Sequence, residues 1–312
     1  MNKSKVKIFC FYHKSSTVFK TDVIEPMQNG ANNSKYILDM IKDNTGDHIS
    51  DKNLNYGELT GQYWVWKNYL KENADVEYIG FCHYRRFLDF SKKAKGKACF
   101  SNQIYESDFL NYIQDYTEDK IYPIIKDYDV ILPEQHFLSE DTIYNQFVQE
   151  HSANEMEILI DIIKNDYPEY VDVMNNFLYK GNFGYFCLNF VMKKSFFEEY
   201  MEWVFDLASK IEARADLSVF KEYKNIRMLA FLIERFFNVW LRYKIEIAQL
   251  KILERKSLLL KSEKFAICKT LVSNYKKKKV ITFFGNKLKI IRYKFGEYKY
   301  LKINNLKYKY KP

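Results

Sequence analysis

The cysteines of this chain of 312 residues form neither a zinc-binding pattern nor a framework of disulfides. All five lie far apart, with no Cys-x-x-Cys pair, as is typical of a protein kept in a reducing compartment. The sequence also lacks a run of about 20 apolar residues, the length that a helix needs to cross a bilayer. Residues 1–16 have neither the apolar core nor the cleavage site of a signal peptide. We therefore expect a cytoplasmic protein, soluble or bound to a membrane surface.

The charge is divided unevenly along the chain. Hydrophobic residues make up 47% and charged residues 29% of the sequence, which is enough to bury a sizeable core. The formal net charge of +9 combines an acidic body, residues 1–240, with a tail from residue 241 that contains 21 Lys and Arg and only 4 Glu. The body and the tail therefore differ in function or in partner.

Short apolar runs rich in β-formers alternate with amphipathic helical patterns in the body. The strands are predicted at Val6–Tyr12, Val76–Cys82 and Asp129–Leu132. Helices are predicted around Leu59–Leu70 and at Glu155–Lys164, where apolar residues recur at helical spacing. This alternation predicts an α/β domain with a mostly parallel sheet.

The second half of the body is predicted to add a strand and two helices. The strand spans Gly184–Met192, and the helices span Ser195–Ala213 and Ile226–Tyr243. From Ile245 onward the composition becomes rich in lysine, at first with a helical pattern. We place the domain boundary there, with residues 1–245 as the α/β domain and residues 246–312 as a basic extension.

The segment from Tyr78 to Phe87, YIGFCHYRRF, is an apolar strand that ends in two arginines. Ligands of open α/β sheets bind beyond the carboxyl ends of the strands, so Arg85 and Arg86 are candidates to hold a diphosphate through forked hydrogen bonds. The alternative is a pair of surface arginines, one in a salt bridge, because neighbouring residues on a strand point to opposite faces.

Upstream of this strand, a polar turn-forming stretch leads into the helical segment GELTGQYWVWKN. Glu58, Gln62 and Trp66 share one face of that helix. The two tryptophans could form a platform for a nucleotide or a sugar, but packing between helices explains them equally well. Glu58 and Lys67 are the better candidates for a chemical role.

The order DNTGDHIS, DKN, ELTGQYWVWKN and YIGFCHYRRF resembles a family of bacterial capsular and exopolysaccharide biosynthesis proteins that is catalogued as a domain of unknown function and treated as glycosyltransferases. The resemblance covers about residues 5–243. It departs at Cys187-Leu188-Asn189-Phe190, where the family usually has Asn-Met-Phe, and at Ala230, which replaces a usual glycine. Both departures lie on the acceptor side of the pocket that the resemblance implies.

The resemblance implies a GT-A-like fold and a nucleotide-sugar donor, with UDP-galactofuranose or another UDP-hexose as the expected donor. Enzymes of that fold usually hold a divalent metal with an Asp-x-Asp motif, but here the corresponding strand ends in His83-Tyr84-Arg85-Arg86. We therefore expect arginine charge to replace the metal, and the alternative is a bound Mn²⁺ or Mg²⁺.

The matched motifs supply the candidate site residues. An inverting transfer needs a base near the acceptor hydroxyl, and the candidates are Glu234, Asp141 and His83. For Glu234, the first choice, the alternative is an ion pair with Arg227 or Arg235 that braces its helix. The residues assigned to the donor are His13, Lys14, Asn53, Glu58, Tyr63, Lys67, Tyr84, Arg85 and Arg86, and those assigned to the acceptor are Asn189, Arg227 and His151.

In the tail, basic residues are interleaved with aromatic and aliphatic ones. This composition favours an anionic membrane surface, where each basic residue contributes ~1 kcal/mol and aromatic rings lie at headgroup level. We therefore expect a peripheral protein on the inner face of the plasma membrane, acting on a lipid-linked or oligosaccharide acceptor. The alternative is a non-catalytic protein of a polysaccharide assembly complex that binds nucleic acid or a partner through this tail. An acidic body without a nucleic-acid-binding motif disfavours nucleic acid.

Overall fold

The computed structural model describes residues 4–91, 102–138, 140, 142–151, 153–215 and 226–261, together with four strands between residues 280 and 310. The chain separates into two compact units. The larger unit comprises Met1–Ile104 and Phe109–Leu259, and the smaller comprises Tyr105–Asp108 and Leu260–Pro312. The larger unit thus extends beyond the boundary predicted near residue 245.

The strands between residues 4 and 261 are, in chain order, β1 Val6–Tyr12, β2 Ile24–Gln28, β3 Ile41–Lys42, β4 Tyr78–His83, β5 Arg86–Leu88, β6 Asn102–Tyr105, β7 Val130–Pro133, β8 His136–Phe137, β9 Phe183–Gly184, β10 Phe190–Lys193, β11 Ile252–Arg255 and β12 Ser257–Lys261. The helices are α1 Asn53–Tyr56, α2 Leu59–Trp64, α3 Leu70–Glu72, α4 Glu106–Tyr112, α5 Glu118–Ile125, α6 Ile143–Glu150, α7 Ala153–Asp166, α8 Val171–Lys180, α9 Lys194–Arg214 and α10 Met228–Ala248. A π-helical turn, Val65–Tyr69, joins α2 to α3, and short 3₁₀ turns span Ala31–Asn33, Ser50–Lys52, Ile113–Asp115 and Pro168–Tyr170.

The main sheet runs in the order β11-β7-β10-β4-β1-β2-β3. β1 pairs in parallel with β2 and β4, and β2 pairs in parallel with β3. β10 runs antiparallel between β4 and β7, and β11 is parallel to β7. The predicted α/β domain with a mostly parallel sheet is confirmed. In such a sheet, parallel strands end at the same edge, and the residues that follow them lie close together there. Ligands bind at this edge.

Apolar side chains fix the helices against the sheet. β1 and β4 are buried almost along their full length, as is expected for parallel strands that are covered on both faces. The ring of Phe81 on β4 lies 5.4 Å from that of Phe190 on β10 and 5.3 Å from that of Phe197 on α9. From α10, the rings of Phe237 and Trp240 both lie 5.2 Å from that of Tyr200. This packing holds α10, which carries Glu234, at a fixed position beside β10.

Two predicted elements differ from the structure. The strand predicted at Gly184–Met192 is interrupted: β9 ends at Gly184 and β10 begins at Phe190, because Cys187 and Leu188 have left-handed φ angles of 73° and 43°. The helical stretch predicted from Ile245 is wrong beyond α10, since Ile252–Arg255 and Ser257–Lys261 are strands. β11 pairs with β7 and β12 with β5, so neighbouring strands outweigh the helix propensity of lysine.

Four strands of the tail form a separate antiparallel sheet in the order β13 Val280–Thr282, β14 Lys289–Phe295, β15 Tyr298–Ile303 and β16 Leu306–Tyr310. Their register sets Lys294 opposite Lys299 and Lys302 opposite Lys307. Within the described part of the chain, no helix has the length and apolar character needed to span a membrane.

Candidate active site

A cavity of about 630 Å³ lies beyond the carboxyl ends of β4 and β7, beside α10. Arg86, Asn189, Glu234 and Arg235 supply polar groups to its lining, and aromatic side chains supply another part of the wall. The volume is within the range of about 300–1,000 Å³ that is typical of small-molecule sites. The cavity therefore combines a suitable size with convergent charged groups at the edge of the sheet where ligands bind.

Three side chains hold the Cys187–Leu188 turn at the cavity, because each contacts a different polar atom of Cys187. Its backbone N–H donates to Glu234, and its carbonyl lies 2.7 Å from Nε2 of His83. A guanidinium nitrogen of Arg86 lies 2.6 Å from its Sγ. Because a carbonyl can only accept, Nε2 of His83 carries the proton in this contact. Three side chains from β4, β5 and α10 thus stabilise a backbone conformation that non-glycine residues rarely adopt.

Asn189, directly after this turn, is the buried polar residue that faces the cavity without a partner. Its side chain lines the cavity, only 4% of the residue is exposed, and neither Oδ1 nor Nδ2 has a hydrogen-bond partner. Buried amides in native proteins are nearly always hydrogen-bonded. The amide of Asn189 is therefore an unsatisfied hydrogen-bonding group in the wall of the cavity.

Glu234 on α10 is a carboxyl in a low-dielectric setting. Burial raises its pKa, and the negative charge of Glu58 adds to that effect. The positive charges of Arg235, at 3.5 Å, and of Arg86 offset part of the rise, as does the hydrogen bond from the backbone of Cys187. A carboxylate with a raised pKa is a stronger base than an exposed one, and it lines the cavity.

The pKa of Glu58, at the start of α2, is shifted in the opposite direction. Burial raises its pKa, but the charges of His83 and Arg227 outweigh burial and hold the pKa below its usual value. One oxygen lies 3.1 Å from a guanidinium nitrogen of Arg227, and the other lies 3.7 Å from Nδ1 of His83. Glu58 is therefore an ionised link between the loop before α10 and the end of β4.

A second cationic group surrounds the ring of Tyr84, in the turn between β4 and β5. The ring centroid is 5.3 Å from that of His13, 5.5 Å from Nζ of Lys14 and 5.7 Å from the guanidinium carbon of Arg85. Partial burial and the positive charges of Lys14 and Arg227 lower the pKa of His13. These residues follow β1 and β4, which are neighbours in the sheet, so the sheet brings them together.

The two adjacent arginines have different surroundings. His83 pairs with Arg86 across the hairpin of β4 and β5, which leaves Tyr84 and Arg85 in its turn. Arg85 is exposed beside Tyr84, whereas Arg86 is half-buried and lines the cavity. Both charges nevertheless act on the thiol of Cys187, where they oppose the rise in its pKa that burial causes.

Four residues that the sequence assigns to the site have other neighbours. Asn53 donates to the carbonyl of Gly57, Tyr63 donates to Asp47, and Lys67 lies over the ring of Trp66. His151 stacks on Phe231 at 4.7 Å. None of the four is among the described residues that line the cavity, and their assigned roles stay predictions. Asp141 lies outside the described residues.

Two site residues were missing from the sequence-based assignment. Cys187 is visible in the sequence as a departure from the family's pattern, yet only the fold shows that its polar atoms hold the turn. Phe137, an exposed ring at the cavity, leaves no sequence signal, because its exposure depends on the pairing of β8 with the distant β9.

Comparison with known proteins supports a relationship to glycosyltransferases. The model of the family described as a domain of unknown function, DUF4422, matches residues 7–247. The apo structure of WbbM, a bifunctional glycosyltransferase, is 26% identical in sequence and has a TM-score of 0.75. That match covers 91% of this chain and 48% of WbbM, so the chain spans about half of its length. No curated protein matches the chain. The GT-A-like fold predicted from the sequence is thus confirmed.

Proposed function

The chain belongs to the DUF4422 family, and we propose that it is a glycosyltransferase that moves a sugar from a nucleotide donor to a glycan acceptor. The observation that carries this proposal is the cavity in which Arg86, Asn189 and Glu234 converge at the ligand-binding edge of the sheet. The similarity to WbbM, itself a glycosyltransferase, supports the same class of reaction. The donor we propose is a UDP-sugar such as UDP-galactofuranose, and the acceptor is a capsular or exopolysaccharide chain.

In the proposed reaction, cations at the ends of β1 and β4 bind the donor diphosphate. Lys14 and Arg85 lie beside the ring of Tyr84, and Arg86 lines the cavity. Guanidinium groups donate hydrogen bonds to phosphate oxygens, and these bonds strengthen as negative charge develops on the leaving nucleotide. Their role is therefore larger in the transition state than in the bound donor.

Glu234 is the base in this proposal. Its carboxylate takes the proton of the acceptor hydroxyl as that oxygen forms a bond to the anomeric carbon of the donor sugar and the bond to the nucleotide breaks. Burial raises its pKa, which brings the group closer to the operating pH of a cytoplasmic enzyme. Asn189, whose amide is unpartnered, would orient the acceptor by hydrogen bonds to its hydroxyls.

We propose that the transfer does not need a metal ion. Within the described residues, no group of three His, Cys, Asp or Glu side chains is arranged to hold a metal. The carboxyl of Glu58 is paired with Arg227, and that of Glu234 accepts from the backbone of Cys187. We propose that Lys14, Arg85 and Arg86 supply the charge that a divalent cation would otherwise bring to the diphosphate.

The basic tail is proposed to dock the protein on the anionic inner face of the plasma membrane, where lipid-linked acceptors reside. Residues 262–312 contain 15 Lys and Arg and only 2 Glu. This excess of basic residues favours an anionic surface, where each basic residue contributes ~1 kcal/mol.

A test of this function needs no knowledge of the acceptor. Thermal-shift measurements with UDP-, GDP-, CMP- and dTDP-sugars should show selective stabilisation, about 2.7 kcal/mol when the ligand is at 100 times its Kd. Arg86→Ala should weaken donor binding by roughly 10- to 100-fold, as is expected from the loss of a charge-assisted hydrogen bond. Arg214→Ala, which removes an exposed ion pair with Asp161 on the helical surface, is the matched control.

Slow release of the nucleotide from the selected donor, measured in the presence of EDTA, tests the reaction and its independence of metal. Continued release would agree with the proposal. A protein that binds none of the four nucleotide classes is not a glycosyltransferase of this kind. Activity that EDTA abolishes and Mn²⁺ restores would overturn the metal-independent mechanism.

A further inference from the structure

One wall of the cavity is aromatic, and its most exposed member is Phe137 on β8. This residue is 62% exposed and lines the cavity, as do Phe186 and Leu138. A single exposed apolar side chain needs no explanation on a protein surface. Of the large apolar side chains in the described residues that are similarly exposed, however, only Phe137 lines this cavity.

The strands that present Phe137 are held firmly. β8 pairs with β9, which sets Phe137 opposite Phe183, and the two rings lie 5.3 Å apart. Asn238 of α10 both accepts from the backbone N–H of Tyr185 and donates to its carbonyl, directly after β9. The guanidinium of Arg242, also on α10, lies 5.1 Å from the ring of Phe183. The ribbon of β8 and β9 is therefore a preorganised platform.

The cavity lining thus combines two kinds of groups. Arg86, Asn189 and Glu234 bring polar groups, and Phe137 and Phe186 bring aromatic rings. A ligand that matches both has hydroxyl groups along its edges and an apolar C–H face, which is the chemistry of a sugar ring. Aromatic rings pack against such faces without the loss of hydrogen bonds.

The topology assigns this wall to the acceptor rather than to the donor. The cations proposed for the diphosphate follow β1 and β4, whereas Phe137 follows β7, and β10 lies between β4 and β7 in the sheet. Glu234 and Phe137 both line the cavity, so the proposed base and the exposed ring belong to one site. Its volume of about 630 Å³ is within the range of small-molecule sites.

We propose that the ribbon of β8 and β9 forms an acceptor subsite, in which Phe137 stacks on the sugar next to the one that is glycosylated. The enzyme would then extend chains of two or more sugars and discriminate against monosaccharides. This inference depends on the proposed glycosyltransferase function, since it names the acceptor class of the same cavity.

The test measures binding of fluorescently labelled protein to an array of bacterial surface oligosaccharides of one to four sugars, beside the thermal shift caused by UDP. The wild type should bind only glycans of two or more sugars. Phe137→Ala should bind them about tenfold more weakly, as is expected from the loss of one stacking contact, with the UDP shift unchanged. Phe137→Tyr keeps a ring and should bind like the wild type.

Tyr179→Ala is the matched control, because Tyr179 on α8 is an exposed ring that stacks on Tyr144 and does not line the cavity. Equal binding by Phe137→Ala and the wild type, or no glycan binding by the wild type, would overturn the subsite. A smaller UDP shift with unchanged glycan binding would mean that the ring stacks on the nucleobase. The absence of a thermal shift in the wild type with all four nucleotide classes would instead defeat the proposed function itself.

Discussion

At the scale of single residues, neighbouring groups shift the pKa values of two carboxyl groups of the site in opposite directions. His83 and Arg227 keep Glu58 ionised despite its burial. For Glu234, nearby positive charge offsets less of the effect of burial. Arg235, its nearest cation, also donates hydrogen bonds to Gln146 and to the carbonyl of Phe231. Pairs of titratable groups whose pKa values are pushed apart are typical of acid–base sites. Glu58 is thus suited to a permanent charge and Glu234 to proton transfer.

We predict that Glu234→Gln lowers kcat by roughly 10²- to 10⁴-fold, the usual contribution of a general base. The same change should stabilise the fold at neutral pH. A carboxyl with a pKa raised by folding binds its proton more tightly in the folded state, so its contribution to stability is present at low pH and is lost as the pH rises through the folded pKa. Glutamine avoids that loss and keeps an oxygen for the backbone of Cys187.

The measurement is the thermal midpoint of both proteins from pH 4 to pH 8, together with the rate of transfer or donor hydrolysis. The gain of the variant should vanish toward the acid end, where the wild-type carboxyl is protonated in both states. In the wild type, activity should fall with acidification at a pH above the usual carboxyl value of about 4.3. A variant with wild-type kcat would remove Glu234 from the chemistry and leave the ion pair with Arg235 as its role.

The sequence predicts part of this site at the residue scale. Arg86, Asn189 and Glu234 lie in motifs that resemble the family, and the fold brings them to one cavity. The divergence of Arg85 and Arg86 follows from the register of the hairpin, which leaves Arg85 in the turn and makes Arg86 the first residue of β5. The contacts of Cys187 with β4, β5 and α10 reach residues that are at least 47 positions away in sequence, so local patterns cannot predict them.

At the scale of elements, the turn-forming stretch before α1 is organised around one fully buried carboxylate. Asp43 accepts from the backbone N–H groups of Gly30 and Ala31 at 2.7 and 2.9 Å. The hydroxyls of Ser50 and Thr60 also donate to it, each at 2.7 Å. Gly30 has a left-handed φ of 67°, which glycine adopts without strain. The network fixes the start of α2 and therefore the position of Glu58.

We predict that Asp43→Ala lowers the free energy of unfolding by roughly 3–5 kcal/mol, because it leaves several buried donors unpaired, each at a cost of about 1–3 kcal/mol. Chemical denaturation monitored by circular dichroism measures the change. The control is Asp51→Ala, since Asp51 is exposed and accepts from the exposed Asn32. If the two variants were equally stable, Asp43 would not be the centre of this network.

Sequence patterns predict the elements well where apolar periodicity is long and unbroken. β1 matches its predicted range, and α9, Lys194–Arg214, exceeds its predicted range by one residue at each end. The strand predicted at Gly184–Met192 fails because the left-handed pair at Cys187 and Leu188 depends on side chains from three other elements. The sequence does not predict β11 for a related reason: its residues form a strand through their pairing with β7.

At the scale of the whole molecule, the main sheet continues past the predicted boundary. Because β11 and β12 pair with β7 and β5, a deletion that begins at residue 246 would remove two strands of the main sheet. A deletion that begins at residue 262 keeps both. The charge of the chain beyond that point remains strongly positive, so this shorter deletion separates membrane binding from folding.

We predict that the chain without residues 262–312 keeps the UDP-induced thermal shift but no longer floats with vesicles that contain anionic lipid. The full chain should float with anionic vesicles and not with neutral ones, and salt should weaken the binding because it screens charge. The nucleic-acid alternative would be favoured if the full chain did not bind anionic vesicles but retarded RNA in a gel, with binding that weakens as salt is added.

The attachment of the β8–β9 ribbon has a consequence for the choice of acceptor. The ribbon is fastened to α10 by Asn238 and Arg242, whereas the cations of the donor side are carried by β1, β4 and β5. Under the proposed function, a change in this short ribbon would therefore alter the choice of acceptor and leave donor binding unchanged.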